Sequence, residues 1–384
     1  MKSLAAGISI ILTIFIVGAD FSHLKDATTE TNRRHPPTSL RLVHVIYRHG
    51  DRAPMGPYPT DPNPDSIWPN GFAQLTKTGM NQQYQLGKFL RRKYNGFLSA
   101  RYFAKEIYVR STDIDRTLMS AETNLAGLYP PVKQDHWNKH LAWQPIPVHT
   151  VPQNTDRLLH YSCCPRADQL KTDFLKNSPI VLNKIKENKR FFDYLDFHAG
   201  KISDNQLQNA WKIGGTLYVE KVHNCTIPDW VTPRVWNKLV ELRSFKYYLM
   251  GRLDEVVRLL GGNLLKKIIA DSLDHIHGRI NRARKMFMYS AHDTLLAYFM
   301  YAMRVFDYRS LPPYAACYTV ELHDDNLPDE EPYFKMWYRN DSTTPPYQFK
   351  LPGCSESCPV SKFIALTQRM IPIDIEEECK LKPT

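Results

Sequence analysis

Three short apolar segments are each followed by a polar turn and then by residues with helical spacing. The segments are LRLVHVI (40–46), EIYVR (106–110) and MFMY (286–289). Their length and apolar content predict buried strands, and the apolar positions at steps of three and four that follow predict helices. Strands that alternate with helices favour an α/β fold, with a largely parallel sheet covered by helices on both faces.

The rest of the chain divides into a helical part and two further strands. Residues 156–280 have helix-period apolar positions and few strand signals, whereas 314–323 and 333–340 are predicted to return to the sheet as strands. We therefore predict an α/β domain formed by 40–155 and 281–384. The helical residues between them are predicted to form an inserted subdomain that caps the sheet edge.

The N-terminus has the layout of a secretory signal peptide. One lysine is followed by an apolar stretch from Leu4 to Val17 and by small residues at Gly18 and Ala19. A membrane anchor is the alternative, but the stretch is short for a span of about 20 residues. We expect residues 1–19 to be cleaved off as a signal peptide and residues 20–39 to form a flexible lead-in. We expect no stable membrane anchor, and we favour secretion to the extracellular space over delivery to the lysosomal lumen.

Export makes the cysteines candidates for disulfides rather than metal ligands. CSESC (354–358) has no matching second pair to complete a zinc site, so we predict a small disulfide loop there. The count of seven leaves at least one thiol without an intramolecular partner. Asn224 and Asn340 begin N-x-S/T sequences and are predicted glycosylation sites in the same compartment.

The chain is basic, with a formal net charge of +11, which becomes +10 if Lys2 leaves with the signal peptide. Its densest basic stretches, 91–93 and 279–285, do not interleave aromatic residues as a nucleic-acid groove does. We interpret them as solvated helix ends and predict no nucleic-acid partner. A basic chain still favours anionic substrates.

Ionisable residues follow each of the three predicted parallel strands. Arg48, His49 and Arg52 follow the first, Arg116 follows the second, and the His292-Asp293 pair follows the third. The carboxyl ends of parallel strands meet at one sheet edge, where such folds bind ligands. Singly, each group has an ordinary explanation as an N-cap, a surface ion pair or a turn. Taken together, the positions of these residues after three parallel strands predict a ligand-binding site at this edge of the sheet.

The predicted cluster is suited to a phosphate dianion. Two guanidinium groups roughly 4 Å apart repel by about 4 kcal/mol at an effective dielectric of 20, so the cluster needs an anion. Arg48, Arg52 and Arg116 offer planar donors that match phosphate oxygens, and Arg116 falls in the first turn of its helix, which also favours an anion. A loop with six prolines between Pro54 and Pro69 is predicted to form the rim.

The same cluster can support chemistry on a bound phosphoryl group. The surrounding cations should lower the pKa of His49, which keeps the imidazole neutral and nucleophilic. Attack on phosphorus would form a phosphohistidine. Asp293 is the candidate general acid for the leaving group if its pKa is raised or the medium is acidic, and His292 could donate to a phosphate oxygen.

The motifs that carry these residues resemble those of the histidine acid phosphatases, which include prostatic, lysosomal and insect venom acid phosphatases. RHGDRAP (48–54) matches the family signature RHGxRxP, and 109–131 and MYSAHDT (288–294) are similar to its second and third blocks. WQPIPVHT, LPPYAAC and LPGCSESCP also resemble family segments in the same order. The resemblance runs from about Arg41 to Cys379.

The resemblance implies a role for each site residue. The family nucleophile falls on His49 and its proton donor on Asp293, while the phosphate clamp falls on Arg48, Arg52, Arg116 and His292. The implied fold is an α/β three-layer sandwich with a mostly parallel central sheet (phosphoglycerate mutase-like) plus an inserted smaller α-helical domain. The implied substrate is a small-molecule phosphate monoester, and neither a metal nor another cofactor is implied.

The resemblance also implies an assembly and disulfides. The family commonly forms homodimers, and Trp143 and His149 lie in the segment that relatives use for that contact. Two disulfides, Cys164–Cys379 and Cys354–Cys358, are implied. A third usually joins the position of Cys317 to an upstream position that falls on Val219 here, so the candidate pair is Cys225–Cys317, with Cys163 as another possible partner or the free thiol.

Three other functions are open at this point. A metal-dependent HD-type phosphohydrolase would use His292-Asp293, but that fold is all-helical and a predicted strand precedes this pair. A phytase-like inositol phosphate phosphatase of the same superfamily is a nearer alternative. A secreted binding protein that keeps the fold without strong catalysis is the third, although both the nucleophile and the acid are present here.

Overall fold

The first predicted strand lies at the centre of the observed sheet. The computed structural model describes residues 39–160, 162–340 and 345–382. Its parallel core consists of β1 (Leu40–Arg48), β2 (Ile107–Ser111) and β3 (Met286–Ala291). β3 lies between the other two strands and pairs in parallel with both. The core of the sheet is therefore parallel, as the sequence predicts.

Antiparallel strands extend this core on the other side of β1. They are β4 (Cys317–His323), β5 (Tyr333–Arg339), β6 (Tyr347–Phe349) and β7 (Cys358–Pro359). The sheet order is β2-β3-β1-β4-β5-β6, and β7 pairs with β5. The two strands predicted near the C-terminus thus return to the sheet as an antiparallel pair.

Helices cover both faces of the sheet. The described residues contain α1 (Lys77–Lys93), α2 (Asp115–Leu128), α3 (Pro165–Asn177), α4 (Pro179–Glu187), α5 (Lys189–Ala199), α6 (Gln206–Val222), α7 (Pro233–Met250), α8 (Asp254–Val257), α9 (Asn263–Ile276), α10 (Asp293–Ala302), α11 (Val360–Thr367) and α12 (Ile375–Glu378). α1 and α2 pack on one face, and α9 and α10 on the other.

Successive side chains of β1 point to opposite faces of the sheet, so this one strand packs against the helices on both faces. Leu42 and Ile46 pack in the cluster that contains α9 and α10, whereas Val43 and Val45 pack in the cluster that contains α1 and α2. α1 and α2 approach closely because Gly87 faces the Asn124 carbonyl, where a Cβ would lie 1.9 Å from the oxygen. The result is the predicted three-layer α/β sandwich.

The segment between β2 and β3 has its own apolar cluster. α3 to α9 follow one another with no strand among the described residues from Pro165 to Ile276, and a π-helical turn joins α8 to α9. Val181, Phe192, Leu207 and Leu242 belong to a cluster separate from those that cover the sheet. The predicted domain boundaries, 40–155 with 281–384 and 156–280, stay a prediction.

The cysteines form two of the expected disulfides. Cys164–Cys379 joins the N-terminal end of α3 to the C-terminal end of α12, and Cys354–Cys358 closes the small loop. The predicted pair Cys225–Cys317 is wrong: both thiols are free, as is that of Cys163. The physical reason is distance in the fold, because Cys317 is buried under α1 and α2 whereas Cys225 packs near Trp68 in another cluster.

Several other predictions concern the N-terminal segment, glycosylation and membrane association. The signal peptide over 1–19 and the lead-in over 20–39, apart from Ser39, lie outside the described residues. Asn224 is exposed and Asn340 is half-buried, and glycosylation of either stays a prediction. Within the described stretches, no helix has the length and apolarity needed to cross a membrane.

The segment for which the resemblance implies a dimer contact lies at the β2 edge of the sheet. The His149 N–H donates to the Val109 carbonyl, and the Ser111 N–H donates to the His149 carbonyl, each over 2.9 Å. Trp143 in the same segment is exposed. A homodimer through this edge stays a prediction.

Candidate active site

The carboxyl ends of β1, β3 and the β2–α2 connection bring five of the predicted site residues together. Arg48 Nη2 lies 2.9 Å from Asp293 Oδ2. The rings of His49 and His292 are 5.4 Å apart, and Arg116 Nη2 is 3.5 Å from His292 Nδ1. The predicted constellation therefore forms at one sheet edge.

Arg48 is the buried anchor of the cluster. Its Nη1 donates to the Pro312 carbonyl over 2.8 Å, and its guanidinium stacks on the Tyr314 ring at 4.1 Å from the centroid. These contacts with the loop before β4, together with the ion pair to Asp293, hold the charge in one orientation. Such a preset cation can bind an anion with little further ordering.

The contacts of His49 select one tautomer of its ring. Nδ1 lies 2.7 Å from the Gly50 carbonyl, which can only accept, so Nδ1 carries the proton and Nε2 keeps a lone pair. Burial lowers the pKa of His49 well below its usual value, and the positive charges of Arg48, Arg116 and Arg52 lower it further. The predicted direction is confirmed, although burial, the largest cause, was not identified from the sequence.

His292 and Arg116 form the opposite wall. His292 Nε2 is 3.1 Å from Thr112 Oγ1, so the ring is oriented by a hydroxyl group on the turn after β2. Burial, and then the charge of Arg116, lower the pKa of His292 to about 3. The imidazole is therefore neutral over the physiological range. Arg116 occupies the first turn of α2, as the sequence predicts.

Asp293 opens α10 and its carboxyl group is ionised. Burial favours the neutral acid, but the charge of Arg48 and further groups, including Lys246 and the Tyr247 hydroxyl, outweigh it and hold the pKa of Asp293 well below its usual range. The sequence predicts that Asp293 can act as a general acid under either of two conditions, a raised pKa or an acidic medium, and the first of them is not met here. The proton must come with an acidic medium or with a bound anion.

Arg52 and the proline-rich loop lie at the entrance. Arg52 Nη1 donates to the Ala53 carbonyl over 2.8 Å, and Arg52 lines the same cavity as Arg48 and Asp293. Met55 and Pro57 line this cavity as well, so the loop forms the rim that the sequence predicts. The Thr216 hydroxyl donates to the Gly56 carbonyl over 2.8 Å and ties the rim to α6.

The cavity beyond the sheet edge has a volume of about 660 Å³ and is strongly cationic. The charged side chains that line it are Arg48, Arg52, Lys212, Arg243, Lys246 and Asp293. Three of the five cations come from α6 and α7, and sequence analysis did not select them. No pattern marks them, because a basic residue on a helix has the same local sequence in solvent as in a cleft.

Sequence analysis also missed the aromatic and acidic supports of the site. Trp211, Tyr218, Tyr247 and Tyr314 line the same cavity. Asp51, within the RHGDR turn itself, is only 1% exposed and lies 2.6 Å from His223 Nε2. Among the described residues, no group of three or more His, Cys, Asp or Glu side chains is placed to hold a metal ion.

The lowered histidine pKa values predict that acid destabilises the ligand-free protein. The pKa of His292 is 6.5 when unfolded and about 3 when folded, so the unfolded chain binds a proton between these pH values and the native chain does not. The contribution of His292 to the free energy of unfolding is therefore fully present above pH 6.5, and it is lost as the pH falls towards 3. We expect a loss of about 2 kcal/mol from this group between pH 7.5 and 5.

Urea unfolding measured across that pH range checks this expectation. His292→Asn should flatten the slope, whereas His277→Asn, an exposed histidine at the C-terminal end of α9, should not change it. The pKa is also lowered at other histidines, which add to the slope: His44, His49, His160 and His275. If the unfolding free energy of His292→Asn depended on pH as that of the wild type does, His292 would not be a source of the pH dependence.

The site has fixed cations at the carboxyl edge of an α/β sheet and an uncharged imidazole among them. These features define a class of proteins that bind phosphoryl groups at a histidine. The chain belongs to the histidine phosphatase superfamily (branch 2), whose family model matches residues 39–339.

Lysosomal and prostatic acid phosphatases are similar to this chain. The chain is 42% identical over 348 residues to lysosomal acid phosphatase of Rattus norvegicus, covering 89% of this chain and 81% of the relative. It is 42% identical over 353 residues to prostatic acid phosphatase of Homo sapiens, covering 88% of each. Most of the chain is therefore shared with both.

Solved structures with the same fold include bacterial phytases. The Hafnia Alvei phytase in complex with myo-inositol hexakis sulphate aligns with a TM-score of 0.66 and 18% identity, covering 90% of this chain and 99% of that one. Klebsiella sp ASR1 phytase aligns with a TM-score of 0.63 and 18% identity, covering 90% and 100%. At this identity the likeness establishes the fold.

Proposed function

We propose that this protein is a secreted acid phosphatase that hydrolyses phosphate monoesters through a covalent phosphohistidine on His49. One observation carries the proposal: the His49 Nδ1–H is held by the Gly50 carbonyl, which leaves the Nε2 lone pair free on a ring that has Arg48, Arg116 and Arg52 as charged neighbours. The lysosomal and prostatic acid phosphatases at 42% identity support the same activity. The predicted leader supports secretion.

In the first step, Nε2 of His49 attacks phosphorus and the ester P–O bond breaks. The phosphoryl oxygens are held by Arg48, Arg52 and Arg116, whose guanidinium groups supply the positive charge, so the proposed mechanism requires no metal ion. The leaving oxygen takes the proton of the Asp293 carboxylic acid. The products are an alcohol and the phosphoryl-His49 enzyme.

In the second step, water attacks phosphorus and the N–P bond breaks. The Asp293 carboxylate left by the first step accepts a proton from the water, which restores the acid. The electron pair of the broken bond returns to Nε2 of His49. Inorganic phosphate leaves, and the enzyme is ready for another ester.

The ion pair between Arg48 and Asp293 explains why the activity should be acid-dependent. The ion pair with Arg48 keeps the Asp293 carboxylate ionised. A bound phosphate dianion engages Arg48 and repels the carboxylate, and both effects raise the pKa of Asp293. We expect protonation of Asp293 to accompany substrate binding, with low pH favouring the protonated complex.

A phytase-like activity is the second candidate, and the excess of cations in the cleft favours it. Lys212, Arg243 and Lys246 extend the positive charge beyond the residues that would hold one phosphate. Turnover of phytate and of p-nitrophenyl phosphate by the same preparation, compared as kcat/KM, separates the two candidates. The acid phosphatase proposal expects the simple ester to be turned over well.

Trapping of the covalent intermediate tests the proposed function. Rapid quench of the enzyme with a ³²P-labelled monoester should give a protein-bound phosphoryl group that is acid-labile and base-stable and that maps to His49. Chelator in the assay should leave turnover unchanged. Turnover without any trapped phosphoryl group, or loss of turnover with chelator, would contradict the proposal.

A further inference from the structure

The turn that carries the nucleophile is held by a buried carboxylate. Asp51 Oδ2 accepts a hydrogen bond from Thr76 Oγ1 over 2.5 Å and another from His223 Nε2 over 2.6 Å. Oδ1 of the same carboxylate is buried and has no hydrogen-bond partner among the described residues. The buried charge of Asp51 therefore depends on these two donors, one from the start of α1 and one from the end of α6.

The peptide between Gly50 and Asp51 is also held at both ends. The Gly50 carbonyl faces His49 Nδ1, and the Asp51 N–H donates to Gln82 Oε1 over 2.8 Å. Because a peptide unit is planar, the direction of its N–H determines the direction of its carbonyl. Gly50 cannot be moved easily, since it lies against the backbone of Gly79, where a Cβ would be 2.3 Å from the carbonyl oxygen.

We infer that His223 is a positioning residue for the His49 nucleophile: through Asp51 it holds the Gly50–Asp51 peptide, whose carbonyl selects the His49 tautomer. His223 follows α6 directly and packs edge-to-face on Trp68, with ring centroids 5.1 Å apart. It does not touch the phosphoryl site. The helical segment thus contributes to catalysis through a hydrogen bond as well as through the wall of the cleft.

Loss of the His223 donor has a defined consequence. The Asp51 side chain would keep only the Thr76 hydroxyl as a donor, so it would move towards solvent or turn within its pocket towards another donor. Either change leaves the Gly50–Asp51 peptide with its Gln82 hydrogen bond and its packing on Gly79 but without the anchor at the Asp51 side chain, so the Gly50 carbonyl can tilt away from His49 Nδ1. The His49 proton then redistributes between Nδ1 and Nε2, and the population with a free Nε2 lone pair falls.

The test compares His223→Leu with His223→Gln, because leucine keeps the apolar contact with Trp68 and glutamine keeps a donor near the position of Nε2. Turnover of p-nitrophenyl phosphate gives kcat and KM, and ¹⁵N shifts of the histidine rings give the tautomer of His49, assigned by the signal lost in His49→Ala. His277→Leu is the matched control, since His277 follows α9 as His223 follows α6 and is exposed.

For His223→Leu we expect kcat to fall about 10- to 100-fold, as for a small misplacement of a reacting group, while KM changes by less than about threefold. The Nδ1–H form of His49 should lose its dominance in this variant, and His223→Gln should restore both kcat and the tautomer. Circular dichroism should show all variants folded, and the control should match the wild type.

Two results would overturn the inference: an unchanged His49 tautomer in folded His223→Leu, or a loss of kcat that glutamine does not restore. The inference rests on the proposed function only for the kinetic readout. A wild-type protein that turns over no monoester would overturn the proposed function, while the tautomer measurement would still decide the role of His223.

Discussion

Replacing His49 with alanine is expected to reduce turnover of phosphate monoesters by about 10⁴-fold or more, because the covalent route loses its nucleophile. The variant should remain folded. The wild-type imidazole is buried in its neutral form, so the substitution leaves no buried charge without a partner and mainly removes the hydrogen bond to the Gly50 carbonyl. Steady-state rates with p-nitrophenyl phosphate and a thermal melt measure the two effects.

Added imidazole provides the sharper control for His49→Ala. The substitution leaves a space beside Arg48 and the Gly50 carbonyl, and a free imidazole there can attack the bound phosphoryl group. Saturable recovery of turnover, with N-phosphoimidazole as a product, is the expected outcome. Near-normal turnover in the variant without imidazole would end the proposed mechanism.

Replacing Asp293 with asparagine is expected to slow alkyl phosphates about 10²- to 10³-fold, within the range of general acid catalysis. Esters of nitrophenol should be slowed much less, because that leaving group departs without a proton. The substitution also removes the carboxylate that pairs with Arg48, so KM should fall as the guanidinium becomes available to the substrate. Rates for glycerol phosphate and p-nitrophenyl phosphate measure the contrast.

Asp115→Asn is the matched control for that experiment. Asp115 opens α2 as Asp293 opens α10, but its carboxylate accepts from the Gln74 side chain instead of pairing with Arg48. It should leave both rates close to wild type. Equal slowing of the two esters in Asp293→Asn would show that the carboxyl group does not act as a general acid.

Much of the site was predictable from the sequence because it is built at strand ends. A strand shows as an apolar run, its end as a change to polar residues, and parallel strands share one edge. These local facts were sufficient to bring Arg48, His49, Arg116, His292 and Asp293 together, and their observed distances agree.

The protonation states of those groups were less predictable from the sequence. The cations around His49 were evident from the sequence, but burial, the larger influence on its pKa, is a property of the packed layers. For Asp293 a raised pKa was one of two conditions for acid catalysis. The structure instead pairs the carboxylate with Arg48, because the end of β1 and the start of α10 place the two side chains side by side.

The sequence by itself determined the α/β class, the parallel core of the sheet and the residues at its active edge, since each depends on apolar patterning over a few residues. Tertiary structure decided the supports: the hydrogen bond of His223 to Asp51, the cations that α7 adds to the cleft, and the separation of Cys225 from Cys317. The reason is physical. A contact between residues far apart in the chain depends on how whole helices pack against the sheet, and no local pattern records that packing.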